Sequence, residues 1–533
     1  MNTTKLVVIA ILFNTTLFGQ TLKDAINKTE NERFAQATIE FNKLIATLPN
    51  NGSYHFYAGE NYFAKGQQDS AVAEWNKAYT VEPTAPISIV SAGKAAWVSG
   101  DEAKAKILFA QALKVSKNKN AEIMRCIATT YITSEKKDLD EAIRILTIAT
   151  KIDAKNEDGH LLMGDALNLK TPGDGSPAIK SYNMVLTINS KSPRGIVRTA
   201  KLYQRAKNYD LANEKYKEAQ SIDSTYAPAY RENAELNMMF NQSKKAIENW
   251  KKYLSLNNTY ESRYRYATAL FNGKQYCEAI PELLDIQKNS FNNFYIERML
   301  TYSYYECATI ADGPVQGLKS SAAFFAIVPA EKVIYLDYKY KGLLLSKNSQ
   351  DSLAIIEIEK ASMLNANAAI ELASDLAKLC FKTKQYDKAI AAYELKITKD
   401  KLTVAEYFDL GKAYYFGPKN YIAADSAFAK VNKLSSKYVG GYLWMARTKL
   451  MQDPEKTQWL AFDAYNTILT LVPTAEERAT DKTKNTVIEA CKYLGDYYVN
   501  SPAKNAEKAK ECWTIVHTLN PDDKQAKAFL GIK

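Results

Sequence analysis

Small and bulky residues recur along this chain in a fixed order, and their spacing is helical. From Gly59 through Tyr62, Ala71, Trp75 and Ala78 to Pro83 the steps are 3, 9, 4, 3 and 5 residues. Steps of 3 and 4 set residues on one face of a helix, whereas the step of 9 crosses a turn containing Gly66. The pattern therefore predicts two antiparallel helices. Small residues such as Gly59 and Ala71 let two backbones approach closely, and the rings of Tyr62 and Trp75 fill the space toward the next pair. Proline closes the unit at Pro83, Pro473 and Pro521, since it cannot extend the helical hydrogen-bond ladder.

The same order returns as Ala200, Tyr203, Ala212, Tyr216, Ala219, as Ala234, Asn237, Ala246, Trp250, Tyr253, and as Gly342, Leu345, Ala354, Ile358, Ala361. Gly59 to Gly93 and Ala200 to Ala234 are steps of 34 residues. Copies with longer turns run through Gly411, Tyr414, Ala424 and Phe428, through Ala446, Ala461, Tyr465 and Pro473, and through Gly495, Tyr498, Ala509 and Trp513. With a truncated first copy at Ala37, Phe41, Leu44 and Pro49, about fourteen units extend from Thr21 to Asp522, and a repeating unit of this length is the mark of a stacked array.

At these residues the sequence resembles the tetratricopeptide repeat family. The resemblance implies an all-α fold, an α-solenoid of about fourteen helix-turn-helix repeats wound into a right-handed superhelix, with the first helix of each repeat lining a concave groove. It implies N-terminal repeats over 20–307, C-terminal repeats over 330–522 and a capping helix over 523–533. It is weak over 308–329, where the turn Ala308 to Pro314 is long and the helix with Phe324 and Phe325 fits the pattern poorly. A softer joint is expected there.

Residues 1–19 have a different character: a polar start ending in Lys5, an apolar run from Leu6 to Phe13, then Asn14 to Gly19. That layout predicts a secretory signal peptide cleaved before Gln20, because the apolar run is too short for a membrane span of about 20 residues. An exported protein without a transmembrane anchor in the mature chain is expected, periplasmic or outer-membrane associated in a Gram-negative bacterium. Asp69, Asp223, Asp351 and Asp425, each followed by serine, resemble the short acceptor motif for O-glycosylation in Bacteroidota.

Composition narrows the function classes. Apolar residues at 46% and charged residues at 24% exclude wholesale disorder and a multi-span membrane protein. A net charge of +11 over 533 residues, without a six-residue run of one sign, is no nucleic-acid footprint. Histidine occurs only 3 times, at His55, His160 and His517, while tyrosine occurs 35 times. The six cysteines form no CxxC motif; they read as small packing residues, with a bridge such as Cys491 to Cys512 as the alternative. Walker A, HExxH, GxSxG and calcium-loop motifs are missing. Gly173, Gly175 and Ala178 match a dinucleotide spacing but follow a helix where the fingerprint needs a strand. No catalytic, metal or cofactor residue is expected, and the acid pairs Glu232 with Glu235 and Asp138 with Asp140 read as helix faces and a helix start.

Two features point instead to partner binding. Arg194, Arg198, Lys201 and Arg205 stand at steps of 4, 3 and 4, a basic stripe that the resemblance turns toward the groove, suited to capturing a carboxylate. Aromatic residues flank the small position of other first helices, among them Tyr264, Tyr302, Tyr305, Tyr340, Phe408 and Tyr415, with Arg231 and Arg298 counted beside them. Tyrosine offers contact area with a hydroxyl that stays wet or bonds a backbone group. The reading is a non-catalytic scaffold or adaptor clamping a segment of envelope proteins during outer-membrane assembly, secretion or surface-complex function; the alternative is a glycan or cell-wall binding module. If the stripe is open, Arg198→Glu with Arg205→Glu weakens capture and leaves the melting temperature unchanged.

Overall fold

The computed structural model describes residues 21–288, 293–364 and 366–532. The expected leader, 1–19, lies outside the described residues. The chain divides into two compact units, 1–289 and 290–533, so the joint expected at 308–314 falls inside the second unit.

In the first unit the described helices pair into eight hairpins. They are α1 (21–30) with α2 (Phe34–Thr47), α3 (Gly52–Ala64) with α4 (Gln68–Val81), α5 (Pro86–Val98) with α6 (Glu102–Val115), and α7 (Ala121–Thr133) with α8 (Leu139–Ile152). Next come α9 (Glu157–Lys170) with α10 (Ser176–Ile188), α11 (Pro193–Arg205) with α12 (Tyr209–Ile222), α13 (Ala227–Met239) with α14 (Ser243–Leu256), and α15 (Tyr260–Asn272) with α16 (Tyr276–Gln287).

The second unit continues the scheme with α17 (Phe294–Glu306) and α18 (Gly313–Ile327), α19 (Tyr335–Lys347) and α20 (Asp351–Met363), and α21 (Ala366–Lys382) and α22 (Tyr386–Ile397). It ends with α23 (Val404–Phe416) and α24 (Tyr421–Leu434), α25 (Val439–Gln452) and α26 (Phe462–Leu471), a one-turn α27 (Ala475–Arg478), and α28 (Lys484–Asn500) with α29 (Ala506–Leu519). Helix α30 (Lys524–Leu530) then lies on α29, as expected of a cap.

Most hairpins are built on a ring pressed against a small residue; Leu146, Leu283 and Ile358 stand in the ring's place in three others. Trp75, Tyr182, Tyr216, Tyr393, Phe428 and Tyr465, all at the bulky position of the second helix, are among the largest fully buried side chains. They fit because the facing first helix carries a small residue. A Cβ on Gly164 would lie 2.2 Å from Tyr182 Cε1, and one on Gly59 would lie 2.4 Å from Trp75 Cδ1. Most turns within the hairpins contain a left-handed residue, supplied by Gly66 and Gly100 at φ of 82° and 90° and elsewhere by Glu32, Trp459, lysine, asparagine or serine. Asparagine and aspartate side chains accept hydrogen bonds from the first amides of many helices, as Asn156 does for α9 and Asp523 for α30.

The divergent stretch is a full helix whose pattern is inverted. In α18 the small position is Gly317 and the position four later, elsewhere a ring, is Ser321; the ring comes three residues further on as buried Phe324. Gly317 allows Leu344 of α19 to within 2.8 Å of where a Cβ would be. This exchange of small and large is why the helix fits the repeat pattern poorly.

Gly164→Val should collide with Tyr182 and lower stability by about 1–3 kcal/mol, the usual cost of overpacking a core. Urea unfolding followed by circular dichroism would measure it, and an unchanged midpoint would show that this contact does not set the helix spacing.

Candidate functional site

Helix α11 is started by Ser192, whose Oγ accepts from the Gly195 amide, and by Pro193 in its first turn. Its basic stripe is not an open field of cations. Arg194 Nη1 donates to Asp158 at 2.6 Å and lies 3.0 Å from Glu30; Arg198 Nε donates to both oxygens of Asp165 at 2.8 and 3.0 Å; Lys201 Nζ donates to Glu232 at 3.0 Å. Asp158 and Asp165 stand on α9, Glu232 on α13. The first helices of consecutive repeats are neighbours, so a charge finds its partner 31 to 36 residues away in sequence. Arg205, at the end of α11, is exposed. The expectation of an available four-cation stripe is corrected accordingly, because acids of the adjacent repeats neutralise three of its members.

Arg198 belongs to a recurring arrangement in which an arginine and a tyrosine hydroxyl hold one carboxylate. Tyr182 donates to Asp165 at 2.7 Å beside Arg198. Arg298 donates through Nε and Nη2 to the two oxygens of Asp337, both at 2.8 Å, and Tyr302 donates to the same carboxylate at 2.6 Å. Arg447 forks onto Glu489 at 2.9 and 2.6 Å, with Tyr465 donating at 2.9 Å. In each case groups from two consecutive repeats meet. Burial acts against the Arg198 charge, yet Asp165 outweighs it and raises the guanidinium pKa above its ordinary value. Burial and the neighbouring carboxylate together raise those of Tyr182, Tyr302 and Tyr465.

A fourth arrangement of the same kind has a distant source. Arg231 Nη2 and Nε donate to Glu32 at 2.9 and 3.2 Å, and Tyr253 donates to it at 2.8 Å. Glu32 lies in the turn between α1 and α2, 199 residues before Arg231. The same turn brings Glu30 to Arg194 and lets Asn31 Nδ2 donate to Asp223 at 3.4 Å. The first unit therefore closes on itself, its first hairpin meeting its sixth and seventh. Burial raises the Glu30 pKa, partly offset by Arg194. Inside this closure is a cavity of about 1270 Å³ lined by Ile26, Phe56, Tyr57, Phe63, Glu122, Arg125, Leu162 and Tyr226, among others. A smaller one of about 330 Å³ adjoins Glu32, Arg198, Lys201 and Arg231.

The other expected groove residues are dispersed and mostly engaged. Tyr264 stacks on Tyr260 with ring planes 4° apart. Tyr302 and Arg298 are committed to the buried carboxylate of Asp337. Tyr340 stacks on Tyr302 at 4.1 Å between centroids and donates to Glu306 at 2.8 Å, and Tyr305 lies under the Lys347 ammonium, 4.0 Å away. Phe408 packs edge-on against Phe428 and Tyr438, and Tyr415 against Trp444 and Tyr421. Sequence reasoning missed Lys412, seated 5.2 Å from both Phe408 and Trp444, and the whole set of paired acids. Reading acids one repeat away from each arginine would have found Asp158, Asp165 and Asp337, though not Glu32. Cys491 and Cys512 are free thiols, so no bridge joins them. Among the described residues no group of three or more potential metal ligands occurs, and no helix is long and apolar enough to cross a membrane.

No protein-family model and no curated protein matches the chain. Among solved structures, the C-terminal part of a TPR repeat-containing protein from Cytophaga hutchinsonii is 30% identical, covering 50% of this chain and 99% of its own, with a TM-score of 0.41. The chain belongs to the tetratricopeptide repeat family. A tetratricopeptide repeat protein from Parabacteroides merdae is 18% identical over 47% of this chain and 98% of its own, with a TM-score of 0.32. YrrB, a TPR protein with an unusual peptide-binding site, is 18% identical over 36% and 96%, with a TM-score of 0.23.

Two outcomes follow for these acids. Glu406 of α23 is nearly buried; burial alone would raise its pKa, but hydrogen bonds from Lys396, Ser374 and Thr403 hold it down to about 2 from 4.5. A depressed carboxylate stabilises the fold above the unfolded pKa, and that stability disappears as pH falls from 4.5 toward 2. Glu406→Gln should cost about 2–3 kcal/mol at neutral pH, with the gap to wild type closing in that acid window in urea titrations. Arg198→Glu, which orphans Asp165 and Tyr182, should cost about 3 kcal/mol, whereas Arg205→Glu should fall within about 0.5 kcal/mol of wild type. Equal melting temperatures for the two variants would return the stripe to an unpaired surface.

Proposed function

We propose that the chain is a non-catalytic scaffold that binds a segment of another protein, with the closed first unit as its principal site, and that it works in the periplasm on envelope or outer-membrane proteins during assembly, secretion or surface-complex function. The observation that carries this reading is the cavity of about 1270 Å³, whose lining mixes rings, aliphatic side chains and both signs of charge. Such a lining suits a stretch of polypeptide, which presents apolar, cationic and anionic groups together. Small-molecule sites are more often apolar with a few convergent polar groups, and smaller, about 300–1,000 Å³.

The cavity is read as a binding surface and not as a catalytic one. Burial raises the pKa of Cys126, which lines it, so the group stays a thiol and a poor nucleophile. His55 is buried elsewhere, held 2.7 Å from Glu74 and 2.9 Å from the Pro49 carbonyl, and His160 is a surface residue near the Ala154 carbonyl. The glycan alternative is weaker on geometry. Sugar stacking uses an open ring face, while Tyr305, Phe408 and Trp444 already have lysine or arginine cations within 4.0 to 5.2 Å of their ring centroids.

Affinity purification of the tagged protein from cross-linked native cells, with mass spectrometry of its partners and of its mature N-terminus, tests the proposal. Enrichment of a few envelope proteins with an N-terminus at Gln20 is the expected result. Cytoplasmic partners with an intact Met1 would overturn the location, and retention on peptidoglycan without protein partners would favour the glycan reading.

A further inference from the structure

Three of the four carboxylates held by an arginine and a tyrosine come from an adjacent repeat; Glu32 does not. Arg298 with Tyr302, and Arg447 with Tyr465, each belong to one repeat and take a carboxylate from the following one. Arg231 and Tyr253 likewise belong to one repeat; Arg231 Nη1 pairs with the adjacent Glu232 at 2.7 Å, but the carboxylate that Arg231 and Tyr253 share arrives from the turn between α1 and α2. Arg231 and Tyr253 thus form a carboxylate-binding site filled by a separate part of the chain. Among the described non-glycine residues with left-handed backbone, Glu32 at φ 55° is the only acid; the others are lysine, asparagine, serine and one tryptophan. Two further contacts give the turn a polarity. Glu30 meets Arg194 at 3.0 Å, and Asn257 Nδ2 donates to the Tyr253 hydroxyl at 2.8 Å, leaving the hydroxyl proton for Glu32.

We infer that Arg194, Arg231 and Tyr253 form a docking site for a protein segment carrying two carboxylates separated by one residue, and that the Glu30–Asn31–Glu32 turn is its resident occupant, a latch that a partner's acid-x-acid segment displaces. The inference rests on the protein-binding reading above and deepens it by naming the partner's chemistry. Both carboxylates are matched by the two arginines, one of them in a forked, charge-assisted pair that Lys could not reproduce. Because the turn is tethered, it competes at a high effective concentration, so an external segment binds weakly until the latch is released. Release would also open the cavity that α1 helps to line through Leu22 and Ile26.

The test uses the full chain and a fluorescein-labelled peptide of the chain's own sequence from Asn27 to Gln36. Fluorescence anisotropy should show the Glu30→Gln, Glu32→Gln double variant binding this peptide at least about tenfold more tightly than wild type. Adding Arg231→Gln should remove the gain. Hydrogen exchange should quicken at the amides of 21–32 in the double variant and stay unchanged in the repeats beyond residue 260. Glu32→Gln alone, which leaves Arg231 and Tyr253 in place to hold the peptide, should give an intermediate affinity and serves if the double variant does not fold. Equal peptide affinity in wild type and both opened variants would overturn the latch. Partner capture from cross-linked cells, run in parallel, separates the two claims. Partners captured without any peptide effect would sink the latch alone, and peptide binding without captured partners would uphold the site while removing the scaffold reading.

Discussion

Distance along a stacked array is counted in repeats. A polar side chain on an inward helix has three places to find a partner: its own hairpin, the helix one repeat away, or a segment brought back by the curl of the unit. Ion pairs between repeats follow this rule, from Lys94 with Glu60, 34 residues apart, to Arg447 with Glu489, 42 apart where the intervening turn is longer. The small-and-large packing fixes the repeat spacing, and the spacing then decides which charges can meet.

The energetic weight of these meetings is in their breakage more than in their formation. A carboxylate drawn out of water loses most of what it gains from an arginine, so a paired Asp165 or Asp337 adds little net stability. Removing either partner leaves a charge without compensation, which costs far more. Pairs of this kind penalise a slipped repeat, since sliding one hairpin against the next would separate Arg298 from Asp337 while leaving the apolar contacts comparatively tolerant. Tyrosine abundance has the same root. The ring fills the space that glycine or alanine vacates, and its hydroxyl reaches the carboxylate beyond, as Tyr182 does toward Asp165.

Much of this was legible in the chain itself. The rings at Trp75, Tyr216, Phe428 and Tyr465 are read directly from their spacing, because burial of a ring against a small residue depends only on local period. Helix α18 was harder, since Gly317, Ser321 and Phe324 reverse the order of small and large while preserving the fit. The basic positions on α11 were correctly placed on one face, but a stripe seen alone says nothing of what the neighbouring repeats present to it. Asp158 and Asp165 could be found by stepping back one period. Glu32 could not, because its meeting with Arg231 depends on how tightly the unit curls, and curl is the sum of small rotations that no single repeat encodes.

The Glu32 contact changes how the first unit can be made. Nearly all other contacts in the array are local, which favours rapid, progressive folding from either end or the middle. A pairing between residues 32 and 253 has a sequence separation of 221, and it cannot form during synthesis until the seventh hairpin has emerged. The turn at Glu32 is therefore among the last parts of the unit to be secured, exposed to chaperones and proteases for the time that more than two hundred residues take to follow it, about 10–40 s at 5–20 residues per second. The apolar core of α1 and α2 forms early, with Ala25 and Phe41 against Tyr54 and Ala58 of α3, while the Glu32 turn waits on the far end of the unit for its partners.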